Sequence, residues 1–316
     1  MTTTTNSPAS TPRPPAAAGT DVPPRRTGTR QALPRTGYWF LAPYLLFFAV
    51  FLVWPIIYGL WMSLTNRSLV TDDSSFTGLS NYTEALTDPQ MWSSLGNTLF
   101  FTVISSVPLI VVSFAMAYLV YTGLKGQWLW RLTFFAPFLL PVSVVTAIWA
   151  FLFTNDFGLV NGLLERFGFS QVGWLSDEQV AMWSIALVTL WWTVGFNFLL
   201  YLSALQNIPD HLYEAAQLDG AGSWRRLFSI TLPMMKSTTG LIILLQALAS
   251  LKVFDQIFLL TAGGPNGATR SILQYIYDAG FTGYRLGYAS ATSYIFFALI
   301  VLVSLVQMYF AKRKDS

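Results

Sequence analysis

Long apolar stretches separated by short polar segments dominate the chain. Six of them reach the roughly 18 to 20 residues at which a helix crosses the hydrocarbon core of a bilayer. They predict membrane spans at about 38–62, 98–122, 132–153, 181–204, 238–261 and 289–311. Only the fifth carries charge in its interior, at Lys252 and Asp255. The pattern therefore predicts an all-α membrane protein with six transmembrane helices.

Composition supports lipid as the solvent of this protein. Of 316 residues, 53% are hydrophobic and only 10% are charged, which is too apolar for a soluble chain of this length. There is no cysteine, and His211 is the one histidine, so disulfides, thiolate chemistry and histidine-rich metal sites are excluded. We expect no catalytic residues and no metal ligands.

The basic residues predict the orientation of the chain. With the N-terminus inside, 13 Lys and Arg lie in cytoplasmic segments and four in external ones. Because Lys and Arg concentrate on the cytoplasmic side, both termini are predicted to be cytoplasmic. The net charge of +3 thus reflects topology in the cytoplasmic membrane of a prokaryote and indicates no nucleic-acid partner.

Three segments outside the spans have distinct compositions. Residues 1–37 are rich in Thr, Pro, Ala and Arg and predict a disordered cytoplasmic tail, because they contain too few large apolar side chains to form a core. Residues 312–316 predict a short basic cytoplasmic tail. Residues 205–237 form the most polar segment with helical signals, between the fourth and fifth spans.

This polar loop predicts two short helices around a glycine. Pro209 and Asp210 are typical of a helix start, and Gly220 stops or bends the helix that follows. A second helical pattern starts near Trp224 and ends at Pro233. Such an elbow can present an exposed knob to a soluble partner.

The sequence of the loop, Glu-Ala-Ala then Asp-Gly-Ala then Leu-Pro, resembles the EAA loop of binding-protein-dependent ABC importer permeases. The resemblance is to the carbohydrate type, such as the larger maltose-transporter permease and glycerol-3-phosphate permease subunits. It implies the fold of a type I importer permease and a coupling helix that moves with a separate ATPase. The alternative is an ordinary linker between two spans. The residues that the resemblance assigns to coupling are Glu214, Ala215, Ala216, Asp219, Gly220, Ala221, Leu232 and Pro233.

Three further stretches carry the same resemblance, Phe76–Tyr82, Asp156–Leu164 and Phe254–Pro265. It implies three kinds of protein partner: a second permease, an ATPase dimer and an extracytoplasmic solute-binding protein. No Gly-Lys-Ser or Gly-Lys-Thr occurs, so the chain has no phosphate-binding loop of the Walker A type. We therefore expect no cofactor in this chain, with ATP and Mg²⁺ bound by the ATPase.

Polar residues inside the spans are candidates for the substrate path. Thr189, Thr193, Asn197 and Tyr201 recur every four residues, which predicts either a hydrogen-bonded seam between helices or a path for a sugar. Lys252 and Asp255 are spaced to form an ion pair on one helix or to contact substrate separately. The path candidates are Asn197, Tyr201, Gln246, Ser250, Lys252 and Asp255.

Two other classes of protein are alternatives. An ion-coupled secondary carrier would use Lys252 and Asp255, but no internal repeat supports this class. A membrane-embedded enzyme would need an acid, base or nucleophile cluster, and only these same two residues qualify. The favoured function is ATP-driven import of a sugar, polyol or oligosaccharide, whose identity the sequence leaves open.

Overall fold

The computed structural model describes residues 2–3, 35–71, 74–123 and 125–314, so nearly all of the predicted tail 1–37 lies outside the described residues. Within them, regular structure is helical apart from one isolated antiparallel bridge between Thr65 and Phe76. The α-helices are α1 Arg35–Phe48, α2 Trp54–Ser63, α3 Ser80–Thr87, α4 Pro89–Tyr121, α5 Gln127–Phe135, α6 Val142–Leu152, α7 Leu159–Arg166, α8 Ala181–Leu205, α9 Asp210–Leu218, α10 Ser223–Arg226, α11 Leu232–Met234, α12 Lys236–Leu251, α13 Asp255–Thr261, α14 Ile272–Tyr277 and α15 Leu286–Lys314.

Short turns of other helical types join some of these elements. A 3₁₀ turn covers Ala136–Leu139, and π-helical turns cover Ala49–Val53, Leu227–Thr231 and Asp278–Thr282. The chain divides into two compact units, residues 1–54 and 55–316. The described helix of the first unit is α1 with its π turn, and all of the candidate site residues belong to the second unit.

Four helical stretches in the described part of the chain are long and apolar enough to cross a membrane without a sharp bend. They are Phe40–Ser63, Pro89–Tyr121, Ala181–Leu205 and Leu286–Tyr309. Two bent helix pairs pass the same test together, Gln127–Leu139 with Val142–Leu152 and Ser223–Met234 with Lys236–Leu251. The prediction of six spans holds if each bent pair crosses the membrane once.

The third span is broken where its prolines fall. Its two halves meet at an angle of 96°. The 3₁₀ turn ends just before Leu140, and Pro141 directly precedes α6. Proline removes a backbone donor and its ring clashes with the preceding turn, so two prolines close together favour a kink or a break in the helix. The kink predicted from Pro137 and Pro141 is confirmed.

The helix of the second span is longer than the predicted span. α4 begins at Pro89, nine residues before the predicted start near residue 98, and continues without interruption to Tyr121. Asp88 caps this helix by accepting a hydrogen bond from the backbone N–H of Gln90 at 2.7 Å. At about 1.5 Å per residue α4 extends roughly 50 Å, so its first turns lie beyond the hydrocarbon core.

The fifth span is not the continuous helix predicted for residues 238–261. α12 ends at Leu251 and α13 begins at Asp255, with Phe254 at φ −143° and ψ −62°, outside the helical region. The interruption lies between two charged side chains. A break in a helix leaves backbone N–H and C=O groups unpaired, and such groups are tolerated at membrane depth only in a polar or water-filled environment, which charged side chains also require. Sequence periodicity alone had no breaker residue here to indicate the interruption.

The core of the second unit lies between α4, α8 and α12. Phe198 and Tyr201 of α8 are buried against Ala117 and Val120 of α4 and Ile242 of α12. α8 also packs closely against α5, at Gly195. A Cβ at this position would lie only 2.3 Å from the carbonyl oxygen of Phe134, so the close contact requires a glycine. The helices that carry the candidate residues are therefore packed directly against one another.

Candidate functional site

The loop after α8 folds as the predicted helix, glycine elbow and helix. α9 ends at Leu218, Gly220 has φ +74°, and α10 begins at Ser223. The left-handed conformation at Gly220 reverses the backbone at low energetic cost only for a residue without a Cβ. The neighbouring Gly222 has an ordinary φ of −66°, so the two glycines have different roles.

The residues predicted to couple to an ATPase lie mainly on the surface. Glu214, Ala215, Asp219 and Gly220 are exposed, and Leu218 at the tip of α9 is 90% exposed. Ala216 and Ala221 are half-buried, and Leu232 and Pro233 are exposed further along the loop. The elbow thus presents a compact surface that the described residues leave uncovered.

A hydrogen bond joins the two arms of the elbow. The hydroxyl of Tyr213 on α9 lies 3.0 Å from the hydroxyl of Thr231, which is fully buried in the second arm. The ring of Tyr213 also contacts Tyr121 at the end of α4, with centroids 6.3 Å apart. Sequence analysis did not single out Tyr213, although an aromatic residue at helical spacing beside the EAA sequence was a usable signal.

A cavity of about 550 Å³ opens between the elbow and the end of α4. Its lining is polar and aromatic, with Asp210, Ser223 and Arg226 from the loop and Tyr118, Tyr121 and Tyr213 around them. The Nε atom of Arg226 is buried and has no hydrogen-bond partner among the described residues.

Four of the six path candidates are buried inside the second unit. The amide nitrogen of Asn197 donates to the Gln246 side chain at 3.0 Å, and Gln246 donates to the Ser250 hydroxyl at 3.1 Å. Ser250 also bonds to Ser105 at 3.1 Å and Ser106 at 3.2 Å. We call these five residues the seam, because they link α4, α8 and α12. Ser105 and Ser106 were not among the candidates from sequence analysis.

Tyr201, the fourth buried candidate, lies beside the seam on α8. It is 1% exposed, and the edge of its ring meets Phe114 with centroids 5.4 Å apart. The burial of Asn197, Tyr201, Gln246 and Ser250 favours the interpretation of the α8 stripe as helix packing. Thr189 and Thr193 agree with it, since their hydroxyls bond to backbone carbonyls of α8 itself at 2.8 and 2.7 Å.

Lys252 and Asp255, unlike the four buried path candidates, lie at the surface of the chain. Both side chains are exposed at the break between α12 and α13, and neither takes part in an ion pair within 4.0 Å in the described part of the chain. The i to i+3 ion pair on one helix is wrong, because the helix on which that spacing depends is interrupted between these residues.

An unpredicted polar cluster connects α14 and α15 to the start of α4. The Asp88 carboxylate accepts hydrogen bonds from the hydroxyls of Tyr275 and, at 3.0 Å, Tyr288. Burial alone would raise the pKa of Asp88, but these bonds and the backbone N–H of Gln90 outweigh it and hold the pKa below its ordinary value of 3.8. The Asp88–Pro89 pair, a helix-start signal, could have indicated the cap but not its distant partners.

Comparisons with known proteins agree with this architecture. The model of the family described as "Binding-protein-dependent transport system inner membrane component" matches residues 92–316. The chain is 33% identical over 282 residues to the trehalose/maltose transport system permease protein MalF of Thermococcus litoralis, covering 89% of this chain and 95% of the relative. It is 33% identical over 276 residues to the sulfoquinovosyl glycerol transport system permease protein SmoG of Agrobacterium fabrum, covering 87% and 90%.

A solved structure shows the same fold. It is a chain from a bacterial ABC transporter involved in the import of the acidic polysaccharide alginate, with a TM-score of 0.79 at 23% identity. The match covers 88% of this chain and 95% of that one. Since the family match includes the elbow, the seam and the broken fifth span, this chain belongs to the binding-protein-dependent transport system inner membrane component family of ABC importer permeases.

Proposed function

We propose that this chain is the permease subunit of an ATP-driven importer that moves a sugar, or a related polyol or oligosaccharide, across the cytoplasmic membrane. It is coupled to a separate ATPase through the loop at residues 214–233. Both termini and this loop lie on the cytoplasmic side. The proposal joins family membership to the geometry of the elbow, and each part can be tested separately.

The exposed elbow is the observation that carries the coupling role. Glu214 and Leu218 point away from the folded chain, whereas Tyr213 on the same helix is tied to Thr231. α9 is therefore held firmly on one side and free on the other. A partner that moves α9 would move the second arm through this hydrogen bond and through Gly220, and the second arm leads directly into span five.

The names of the relatives support a carbohydrate as substrate. They concern trehalose or maltose, a sulfoquinovosyl glycerol and the polysaccharide alginate, which share hydroxyl-rich rings and differ in charge and size. At 33% identity, we expect this chain to share the chemical class of its relatives' substrates more readily than the individual substrate. The substrate of this chain is accordingly proposed only as a class.

The substrate path is proposed to pass the break in span five. Lys252 and Asp255 are exposed there and can bond to hydroxyl groups of a sugar. Asn197, Gln246 and Ser250 are satisfied within the seam, so we assign them to holding the wall of the path rather than to the substrate. Tyr201 supports the same wall.

The partners follow from the class of transporter. We propose a second permease subunit, two copies of the ATPase and an extracytoplasmic solute-binding protein, as in importers that receive their substrate from a binding protein. ATP and Mg²⁺ would bind to the ATPase, since this chain has no Walker A sequence. No cofactor is assigned to this chain.

The test uses the whole complex reconstituted in liposomes, with ATP inside and loaded binding protein outside. Glu214→Ala and Gly220→Val are expected to lower both the stimulation of ATP hydrolysis by the binding protein and the uptake of substrate at least tenfold. The variants should still assemble, because Glu214 has no hydrogen-bond or ion-pair partner among the described residues and a Cβ at Gly220 meets no described atom within 4 Å.

Gly222→Ala is the matched control, because Gly222 lies two residues away with an ordinary φ and no atom within 4 Å of a Cβ. It should keep normal stimulation. Normal stimulation and uptake in Glu214→Ala and Gly220→Val would mean that the loop is only a linker. Uptake that needs an ion gradient and no ATPase would instead identify a secondary carrier.

A further inference from the structure

Large apolar side chains are exposed on the second arm of the elbow, including Met234 at 51%. Three of them recur at intervals of four residues, namely Trp224 at 74% exposure, Phe228 at 61% and Leu232 at 37%. The rings of Trp224 and Phe228 stack with centroids 6.1 Å apart and planes at 17°, so they lie on one face of the arm. We call these three residues the Trp224 stripe. Large apolar groups in contact with one another and uncovered indicate a surface that another phase or molecule covers.

Charge is segregated on the two sides of Gly220. On the α9 side, residues 210–219 contain Asp210, Glu214 and Asp219 and no Lys or Arg. On the other side, residues 221–236 contain Arg225, Arg226 and Lys236 and no Asp or Glu. Arg225 and Lys236 are exposed. The two arms therefore present surfaces of opposite charge and call for partners of opposite charge.

The geometry of the second arm keeps the Trp224 stripe close to the membrane. The arm, Ser223–Met234, is bent by 64° from α12, which enters the apolar part of span five after Lys236. Twelve residues at about 1.5 Å each give a length of about 18 Å, whose component along α12 is about 8 Å. The polar layer of a bilayer is about 5–8 Å deep on each side, so the arm remains within it along most of its length.

We propose that Ser223–Met234 is an interfacial helix that lies on the cytoplasmic leaflet, with the Trp224 stripe at the boundary between headgroups and acyl chains and with Arg225 and Lys236 at anionic phospholipid headgroups. Aromatic rings prefer this layer, and basic side chains near it attract anionic lipids. The proposal rests on the cytoplasmic position of the loop proposed above. One arm of the elbow is thereby held by lipid while the acidic arm faces the ATPase, and Gly220 is the pivot between them.

The absence of cysteine in this chain makes the test direct. Phe228→Cys and Leu218→Cys are each labelled with a nitroxide in the full complex, with cysteine-free partner subunits, in nanodiscs of phosphatidylcholine with or without phosphatidylglycerol. Collision with oxygen, which concentrates in lipid, is compared with collision with a water-soluble nickel chelate. Leu241→Cys, 52% exposed at the wild-type residue, is the reference position inside span five.

The label at position 228 is expected to prefer oxygen to nickel, although less strongly than the deeper label at position 241, with or without the ATPase. The label at position 218 is expected to collide with nickel in the free permease and to become at least threefold less accessible when the ATPase binds. A label at 228 that collides with nickel and is protected by the ATPase would assign the Trp224 stripe to the ATPase. A label inaccessible to both reagents would assign it to protein packing. Either result overturns the proposal.

The charges are tested with Arg225→Gln combined with Lys236→Gln. Phosphatidylglycerol is expected to raise the oxygen preference of the label at 228 in the wild-type background and to lose at least half of this effect in the double variant. An undiminished effect would overturn the role of these two cations. A membrane-impermeant thiol reagent applied to Leu218→Cys reports the side of the loop independently, so a wrong topology and a wrong lipid contact give different results.

Discussion

The seam and the elbow differ in where their polar side chains find partners. In the seam, Asn197, Gln246 and Ser250 bond to one another and to α4, and all are at most 9% exposed. In the elbow, Glu214, Asp219 and Arg225 are exposed to the surroundings of the chain. Both regions are polar segments of an apolar protein, and the sequence alone ranked both as candidate sites.

The difference has a simple physical origin. A polar group in a membrane helix has no water to bond with, so it must face another protein group or a wet cavity. The seam residues have found such groups within this chain, which makes them part of its folding. Glu214, Asp219 and Arg225 of the elbow have no such partner in the described part of the chain, which leaves them available to another molecule. Satisfied polar groups thus indicate stability, and unsatisfied exposed ones indicate a partner.

The largest expected effect is a loss of stability on substitution of Gly195, which lies in the packed interior between α8 and α5. In Gly195→Ala the new Cβ would lie 2.3 Å from the Phe134 carbonyl oxygen and 2.8 Å from the Cα of Phe135. Because these are backbone atoms, α8 must move away from α5, and the loss is expected to reach about 3 kcal/mol or more. Thermal unfolding of the purified permease in detergent measures it.

Gly96→Ala on α4 is the control for that substitution, since no atom lies within 4 Å of its Cβ. It should leave the midpoint of unfolding unchanged or raise it, because alanine is the better helix former. An equal loss of stability in the two variants would show that the close approach at Gly195 is not what holds α8 in position.

The second prediction concerns the coupling between Asn197 and Gln246. Asn197→Leu or Gln246→Leu alone leaves the other amide without its partner, and each is expected to cost about 1–3 kcal/mol. The double variant should cost clearly less than the sum of the two, since no unpaired amide remains at this contact. A double-mutant cycle of unfolding free energies measures the difference. Additive losses would contradict the hydrogen bond.

Asp88 is intermediate between the seam and the elbow, because it is partly exposed but hydrogen-bonded within the chain. Its contribution to stability is expected to depend on pH. Its pKa is held below 3.8 in the fold by Tyr275, Gln90 and Tyr288, against the opposing effect of burial. A carboxylate with a lowered pKa contributes its full stability above its unfolded pKa and loses it as the pH falls through the folded value. Wild type should therefore be more stable than Asp88→Asn at pH 7, by about 1.5 kcal/mol.

This difference between wild type and Asp88→Asn should remain constant down to about pH 5 and close as the pH falls below the unfolded value of about 4. Unfolding midpoints of the two proteins across this range provide the measurement. A gap that widens in acid would mean that the protonated form of Asp88 is the one stabilised, contrary to the assignment of its hydrogen bonds.

The smallest effect on stability is expected at Gly220, where function should change more than folding. Gly220→Ala places a Cβ in open space but at φ +74°, so the cost is about 1 kcal/mol of backbone strain. Gly220→Asn should be milder, because asparagine tolerates the left-handed conformation. Stimulated ATP hydrolysis should follow the order Gly, Asn, Ala and then Val. Equal activity of the Asn and Ala variants would show that backbone conformation is not the determinant.

Much of the fold was predictable because the bilayer imposes a strong constraint on sequence. An apolar run long enough to span must form a helix, so the spans near 38–62, 181–204 and 289–311 match helices closely. The elbow was equally predictable, since Gly220 and the flanking helical patterns act locally. The break at Lys252 was not, because no proline or glycine marks it and the charges alone fit a continuous helix with an ion pair.

The sequence by itself determined the class of the protein, its helical spans, the Gly220 elbow and the resemblance to importer permeases, since each depends on local patterns of residues and on length. Only the tertiary structure decided that Asn197, Gln246 and Ser250 form a seam with Ser105, and that Asp88 meets Tyr275 and Tyr288. These contacts join residues far apart in the chain, up to 200 positions for Asp88 and Tyr288, and one amide or hydroxyl looks the same in sequence whether it faces a helix, water or a substrate. The periodicity of the sequence does not encode whether a polar side chain has a hydrogen-bond partner in the fold. The presence of such a partner distinguishes the residues that stabilise this permease from those that remain available to bind another molecule.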